Sequence, residues 1–356
     1  MDKSGGIGNA AFLKIVEKRA LSKKKEETLV PYLPKDCVSN ILSSIPIESP
    51  QTFSVEAKYL QSTSVPVLSR PILDPTSMFC IQFVEFKDGK SNIKGYNISC
   101  LGKIRATCNG LILLDNKLKK GALVVLNPVT RKQISLPVGT IYPTHDESYG
   151  FAFSSHTGKY KVIHLFRDKL GFVSCEILNL ETRCWREFNG PSFGLFGWFG
   201  YEPVSAIGAL HWVPKIDHND FIVSIEVDEE KFHTIVLPKS SRIYDGLVEI
   251  NGYLGFVTHE AEVNHIDIWI LKGITGEVWI KHHSITAGCI LDMVPLMSLR
   301  INEEMIFKRD ENGSFYSYDF KLQLMRKVEM ENGCFPLYNS HLPHVNSLVA
   351  WSSGQK

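Results

Sequence analysis

Several places in this 356-residue chain bring together side chains able to do chemistry. His259 and Glu260 are followed by His265, which approaches the His-Glu-x-x-His pattern of zinc enzymes. That pattern works because two histidines four apart share one helix face. Here the second stands six residues on, among strand-like residues, so the rings would not converge on a metal. His282 and His283 are adjacent, and neighbours in an extended strand point to opposite faces. His341-Leu342-Pro343-His344 lacks nearby cysteine or carboxylate ligands. All of these read as ordinary surface or core histidines. Asp228-Glu229-Glu230 imitates a hydrolytic carboxylate pair, yet it occupies a turn and reads as a solvated hairpin tip. No nucleophile elbow, phosphate-binding loop or Ser-x-x-Lys motif is present. The reading is therefore no catalytic residue, no metal and no cofactor.

Gly194-Leu195-Phe196-Gly197-Trp198-Phe199-Gly200 has a glycine at every third place. Its aromatics would block the close backbone approach that a phosphate needs, so it is not a nucleotide loop. Two readings stay open. Phe196, Trp198 and Phe199 are the candidate substrate contacts if the segment is an exposed connection. They belong to the core if it is a tightly turned inner strand.

The elements that would position these residues show in two repeats. A Gly or Asn opens an apolar run at Gly110, Gly158, Gly208, Gly252 and Asn302, in steps of 48, 50, 44 and 50. A strand, a polar turn and a large apolar residue recur to Ile134, Trp185, Phe232, Trp279 and Met325, in steps of 51, 47, 47 and 46. A period of 40–50 residues with several short strands per unit marks a β-propeller. From about residue 78 the pattern is short β-rich runs and polar turns, with Asn109-Gly110 and Asn251-Gly252 suited to hairpins. Five modules can be counted. Residues 83–98 suggest part of a sixth, closed by strands near the C-terminus such as Ser347–Trp351. Trp185, Phe232 and Trp279 are expected to pack between neighbouring blades.

Upstream, the period is helical. Val38, Ile41, Leu42 and Ile45 form one apolar stripe on a helix opened by Pro34 and Asp36 and stopped by Pro46. A second helix can start at Ser49-Pro50 and run through Phe53, Ala57 and Leu60. Residues 62–77, with Pro66, Pro71 and Pro75, read as a linker. Residues 1–29 form a basic arm in which Lys14, Lys18, Arg19 and Lys23–Lys25 are diluted by Glu17, Glu26 and Glu27. It reads as a solvated helix face or a nuclear-localisation patch.

Composition narrows the class. Hydrophobic residues make up 44% and charged residues 22%, as in a soluble globular protein. A net charge of +1 argues against nucleic-acid binding as the main activity. Eight scattered cysteines without a Cys-x-x-Cys pair, no secretory leader and no apolar run of membrane-spanning length imply reduced thiols, no membrane association and a cytoplasmic or nuclear location.

These parts, in this order, resemble a plant F-box protein with a C-terminal F-box-associated, kelch-like propeller domain. Leu33-Pro34-Lys35-Asp36, Ile41-Leu42-Ser43 and Ile45-Pro46-Ile47 are similar to the F-box opening LPxDLxxxILxRLPxK. Phe53 and Lys58 resemble its RFxxVxK segment. Cys108-Asn109-Gly110-Leu111, Asn127-Pro128-Val129-Thr130-Arg131-Lys132, Tyr149-Gly150-Phe151, Tyr160-Lys161-Val162, Gly208-Ala209-Leu210-His211-Trp212 and Asp267-Ile268-Trp269 resemble the propeller motifs, in the family's order. The second F-box helix departs from the pattern, reading Ala57-Lys58-Tyr59-Leu60 where the family has Cys-Lys-x-Trp.

The resemblance implies a small α-helical F-box module at 30–75 and a mainly β propeller of five to six four-stranded modules at 78–352. It also implies a substrate-recognition subunit of an SCF ubiquitin ligase. Leu33, Pro34, Val38, Ile41, Leu42, Ile45 and Pro46 would contact a Skp-type adaptor and through it a cullin, and the propeller would hold an unidentified protein substrate. Two alternatives stand beside it. One is a propeller interaction module that no longer binds the adaptor. The other is a propeller enzyme, which lacks a convergent acid, base or metal set.

Overall fold

The computed structural model describes residues 63–69 and 80–345. Interruptions fall at 88–89, 98–100, 117–118, 142–146, 169, 192–197, 200–201, 216–219, 239–243, 261–264, 275–277, 287–291, 300–302, 311–312 and 331–341. The expected F-box helices, including the adaptor-contacting set from Leu33 to Pro46, lie outside the described residues. Among the described residues all regular structure is β.

Five antiparallel four-stranded sheets follow one another along the chain. The first blade consists of Leu101–Cys108, Leu111–Asn116, Leu123–Asn127 and Lys132–Ser135. The second consists of Glu147–Ser154, Lys159–Arg167, Val173–Asn179 and Cys184–Phe188. The third has Val204–Ala206, Ala209–Trp212, Phe221–Glu226 and Phe232–Val236. The fourth has Gly246–Ile250, Tyr253–Glu260, His265–Leu271 and Trp279–Thr286, and the fifth Met293–Leu299, Glu304–Arg309, Phe315–Asp319 and Leu324–Lys327. In each the strands pair in chain order, so one module of the sequence period is one blade.

Strand alternation explains the ring. Leu111 and Leu113 pack with Phe151 and Val162 between the first and second blades, while Ile112 and Leu114 pack with Phe83 on the opposite face. Likewise Ile163 meets Trp212 and Val223, Ile222 meets Leu254 and Leu271, and Ile268 meets Met305 and Phe307. Ile306 and Phe315 turn to Val84 and Phe86, so the sixth sheet sits between the fifth blade and the first. Trp185 and Phe232 join the interfaces of the second blade, and Trp279 that of the third and fourth, as expected.

The sixth sheet differs from the expectation of a four-stranded module. It has five strands, in the order Glu329–Met330, Lys90–Asn97, Cys80–Lys87, Thr63–Ser69 and His344–Val345, with the first of these parallel to its neighbour. Its closing strand is His344–Val345; the expected Ser347–Trp351 lies outside the described residues. Thr63–Ser69 falls in the segment read as a linker. Pro66 is tolerated there because His344–Val345 pairs only with Thr63 and Ser64, and among the described residues no strand takes up that edge at the proline.

The repeated motifs are turn chemistry. Asn109-Gly110, Ile207-Gly208 and Asn251-Gly252 have positive φ at both residues, the backbone of a two-residue hairpin with the twist of its strands. In the outer hairpins Arg131, Arg183, Glu230 and Gln323 take the left-handed position. Asn127 accepts hydrogen bonds from the amides of Val129 and Thr130, and Asp319 from those of Lys321 and Leu322.

Two further motifs are joined by packing. A Cβ on Gly150 would meet Leu210 and stand 3.1 Å from Trp212, so the Tyr-Gly-Phe glycine admits the next blade's Leu-His-Trp strand. The Trp212 indole also donates to Ser148 at 3.0 Å. Gly150→Ala is expected to cost about 1–3 kcal/mol by overpacking. Urea denaturation should show a smaller cost when the same change is made in a Leu210→Ala background; equal costs would refute this coupling.

Candidate functional site

Antiparallel blades put successive connections at alternate ends, which divides the propeller into two faces. The tight turns share one. The Ile207 amide donates to the Gly252 carbonyl at 3.2 Å, joining turns of the third and fourth blades. The Ser154 and Ser155 hydroxyls donate to Asp228 at 2.5 and 2.9 Å, joining the second and third. The other ends of the strands carry the long connections. There Trp198–Phe199 pairs with Pro214–Lys215 in a two-stranded ribbon separate from every blade. Of the three candidate substrate contacts, Phe196 lies outside the described residues, and Trp198 and Phe199 stand on this inter-blade connection. The backbone thus follows the loop alternative and not that of an inner blade strand.

A polar cluster closes the first inter-blade interface near this loop-bearing face. The faces that carry Leu111 and Leu113, Phe151, Val162 and Leu178 continue to Asp115, Glu147, His164 and Glu176. Arg105 is the extra residue of a bulge between Ile104 and Ala106, which turns it toward the second blade. Its guanidinium donates to Asp115 at 2.6 Å and to Glu147 at 2.8 Å. His164 Nδ1 stands 2.7 Å from Glu176 and Nε2 3.2 Å from Glu147. Tyr149 stacks on the imidazole with centroids 4.1 Å apart and donates its hydroxyl to Glu147. The Thr140 amide and hydroxyl donate to Glu176 at 2.9 and 3.1 Å.

A carboxylate only accepts, and a neutral imidazole has one donor. His164 therefore stands between two acceptors, Glu176 and Glu147. The His164 side chain is 0% exposed and both glutamates 6%, so the triple is buried. All three stand on the second blade, and the Arg105–Glu147 pair joins it to the first.

The residues singled out for chemistry are also engaged structurally. His259 lies between Asp245, at 3.0 Å, and the Met293 carbonyl, at 2.9 Å. Burial pushes the Cys108 and Cys175 thiols up to about 12, where no thiolate forms at neutral pH. His344 is buried on the closing strand, while His341 lies outside the described residues.

Two expectations are corrected. His282 and His283 do not point apart. A bulge opposite Ile268 and Trp269 gives the strand an extra residue, and the rings approach to 4.6 Å. The Asp228-Glu229-Glu230 turn is not merely solvated, since Asp228 takes the serines of the second blade and Glu230 pairs with Lys161 and Arg186. Sequence reasoning also passed over Arg105, Glu147, His164 and Glu176. Their one signal was a lone polar residue inside an apolar strand, as in Val162-Ile163-His164-Leu165.

The architecture is that of a β-propeller, and residues 74–344 match the model of the F-box associated beta propeller domain. The chain belongs to that family. The F-box protein At3g07870 of Arabidopsis thaliana is 24% identical over 306 residues, covering 71% of this chain and 72% of its own length. The putative F-box protein At5g50220 of the same plant is 28% identical over 152 residues, 42% of this chain and 41% of its own. Among solved structures, TolB from Acinetobacter baumannii superposes with a TM-score of 0.51 at 14% identity, over 80% of this chain and 67% of TolB, a likeness of fold alone.

The ionic pins make stability depend on pH. Ser154 and Ser155, donating to Asp228, hold that carboxyl below the usual range. Burial alone would raise Glu176 and Glu230, but His164 and Thr140 on the first, and Arg186 and Lys161 on the second, lower both. Unfolded, these groups bind protons in the ordinary range near pH 4. Their contribution is complete above that range and is lost as pH falls through it toward the folded values. The urea midpoint should therefore drop on acidification below about pH 4.5, and Glu176→Gln should flatten that slope. A midpoint independent of pH there would contradict the account.

Proposed function

We propose that this chain is a substrate-recognition subunit of an SCF-type E3 ubiquitin ligase. The observation that carries the reading is the order of parts. Residues resembling the F-box opening, from Leu33 to Ile47, stand directly before a propeller of the F-box associated family. The relatives that it matches are named as F-box proteins. In this reading Leu33, Pro34, Val38, Ile41, Leu42, Ile45 and Pro46 dock in the groove of a Skp-type adaptor, which joins them to a cullin. A short helix with one apolar stripe cannot bury that stripe alone, and a partner groove is a natural place for it. The loop-bearing face of the propeller holds the protein substrate. Ubiquitin transfer belongs to the recruited machinery, so the chain itself carries no catalytic step.

One observation favours a second reading, a propeller interaction module without the adaptor. Ala57-Lys58-Tyr59-Leu60 lacks the tryptophan of the family's second F-box helix. A buried Trp lost to a smaller side chain costs about 3–5 kcal/mol, part of which Leu60 restores.

Capture by an immobilised Skp-type adaptor separates the two. The wild-type chain should be retained. Leu42→Asp with Ile45→Asp should lower retention at least about tenfold, because each buried aliphatic contributes roughly 1.5–3 kcal/mol. Failure of the wild-type chain to bind, or unchanged binding by the double variant, would refute the adaptor contact.

A further inference from the structure

The sixth sheet is closed by a very short pairing. His344 and Val345 pair with Ser64 and Thr63, whereas the first strand of the second blade pairs with its neighbour over eight residues. Beside that pairing, two contacts hold the closing segment. The Thr107 hydroxyl donates to the Pro343 carbonyl at 2.5 Å, and Leu342 packs on the cluster of Phe83, Ile104 and Ile112. On so short an attachment the energy of each buried side chain is decisive, and His344 is buried.

His344 is the exception among the buried histidines of the described residues. His164, His211 and His259 have both ring nitrogens in hydrogen bonds. His344 is 1% exposed and lies against Phe83 with ring centroids 5.2 Å apart, and among the described residues neither of its nitrogens is hydrogen-bonded. Phe83, Leu342 and the Thr107–Pro343 pair carry no charge, and burial alone lowers the imidazole, to about 3. A neutral ring occupies such a site at moderate cost, but an unpaired imidazolium costs far more. Released into water, the same ring takes up a proton near pH 6.5.

We propose that His344 makes the closing strand an acid-released clasp: the ring takes a proton only when His344–Val345 leaves Thr63–Ser64, so mild acid opens this joint while the blades stay assembled. The released strand binds the proton below about pH 6.5, and the closed one only near 3. Closure is therefore complete above the first value and weakens about tenfold per pH unit below it. Asp228, Glu176 and Glu230, which pin the blades, are all held below their ordinary range and stay ionised at about pH 5. Burial lowers His211 too, to about 4, but it stands inside the third blade and takes a proton only if that blade comes apart. Between about pH 5 and 6.5 the clasp is the joint that yields first. Thr63 and Ser64 are where the chain enters the propeller from the residues that resemble the F-box, so release frees the entry of the ring and not its interior. This holds with or without adaptor binding.

The test is hydrogen exchange of the full chain, read by mass spectrometry at about pH 7 and about pH 5 and corrected for intrinsic rates. The opening constant of residues 342–345 should rise at least about tenfold on acidification, with the Leu111–Asn116 and Ala209–Trp212 strands unchanged. His344→Leu keeps the apolar fill and removes the proton site, so its clasp should not respond to pH. His344→Gln keeps a polar group without a titration in this range and should not respond either, which separates the proton from the packing. Protection of the two blade strands at neutral pH shows that both variants fold. Exchange of residues 342–345 at the intrinsic rate at pH 7, an opening constant independent of pH, an equal rise in the blade strands, or a rise that survives in either variant overturns the proposal.

Discussion

A β-sheet of four strands has two faces and no interior, so a blade that is apolar on both sides is stable only between two neighbours. Leu111, Ile112, Leu113 and Leu114 state the constraint in four consecutive residues, all fully buried and pointing alternately to opposite interfaces. Each contributes roughly 1.5–3 kcal/mol only if the neighbour on its own side is present. A row of five blades would leave one apolar face open at each end. The sixth sheet removes both. It presents Phe83 to the first blade and Val84 and Phe86 to the fifth, and it draws strands from both sides of the blade series. His344 shows that closure carries an expense. Its imidazole is buried against Phe83 with neither nitrogen hydrogen-bonded among the described residues, and burial lowers its pKa to about 3. The apolar contacts of closure must outweigh that desolvation.

How much could be read from the sequence follows from where sterics act. The tight-turn face was legible because its backbone demands particular residues. Asn251-Gly252 must take positive φ at both positions, and Asn127 must cap the turn it precedes. Such demands recur in each blade and so appear as a period. Gly150 was legible as a motif, but not its cause, since Leu210 and Trp212 lie on the next blade. Features that depend on a shift of register or on a distant partner were hidden. The bulges at Arg105 and His282 add a residue without changing composition, and Asp228 looked like a solvated tip because Ser154 lies 74 residues away. The adaptor-contacting set had only its own stripe and the resemblance to speak for it.

Apolar packing supplies most of the cohesion between blades, but it is non-directional, and two sheets can slide or rotate on it at small cost. Directional bonds at the interfaces restrict that freedom. Trp185 donates to the Pro137 carbonyl and Trp279 to the Val236 carbonyl, so equivalent indoles tie the second and fourth blades to the end of the preceding outer strand. Trp212 reaches Ser148, His259 bridges Asp245 and the Met293 carbonyl, and Glu147 takes both Arg105 and His164. The contacts of Trp212, His259 and Glu147 lie away from the tight turns, at the strand ends that carry the long connections.

That placement has a consequence for recognition. Loops free in sequence gain affinity only if the ends that hold them are fixed, because ordering them on binding would otherwise cost about 0.5–1.5 kcal/mol for each immobilised side chain. A buried ion pair adds little net stability compared with an apolar pair of the same shape, but breaking one is costly, so it resists displacement of one blade against the next. The Arg105–Glu147–His164–Glu176 cluster is therefore better understood as setting the geometry of the loop-bearing face than as strengthening the ring. The fold can then accept wide variation in its connections without losing the rigidity that a binding surface requires.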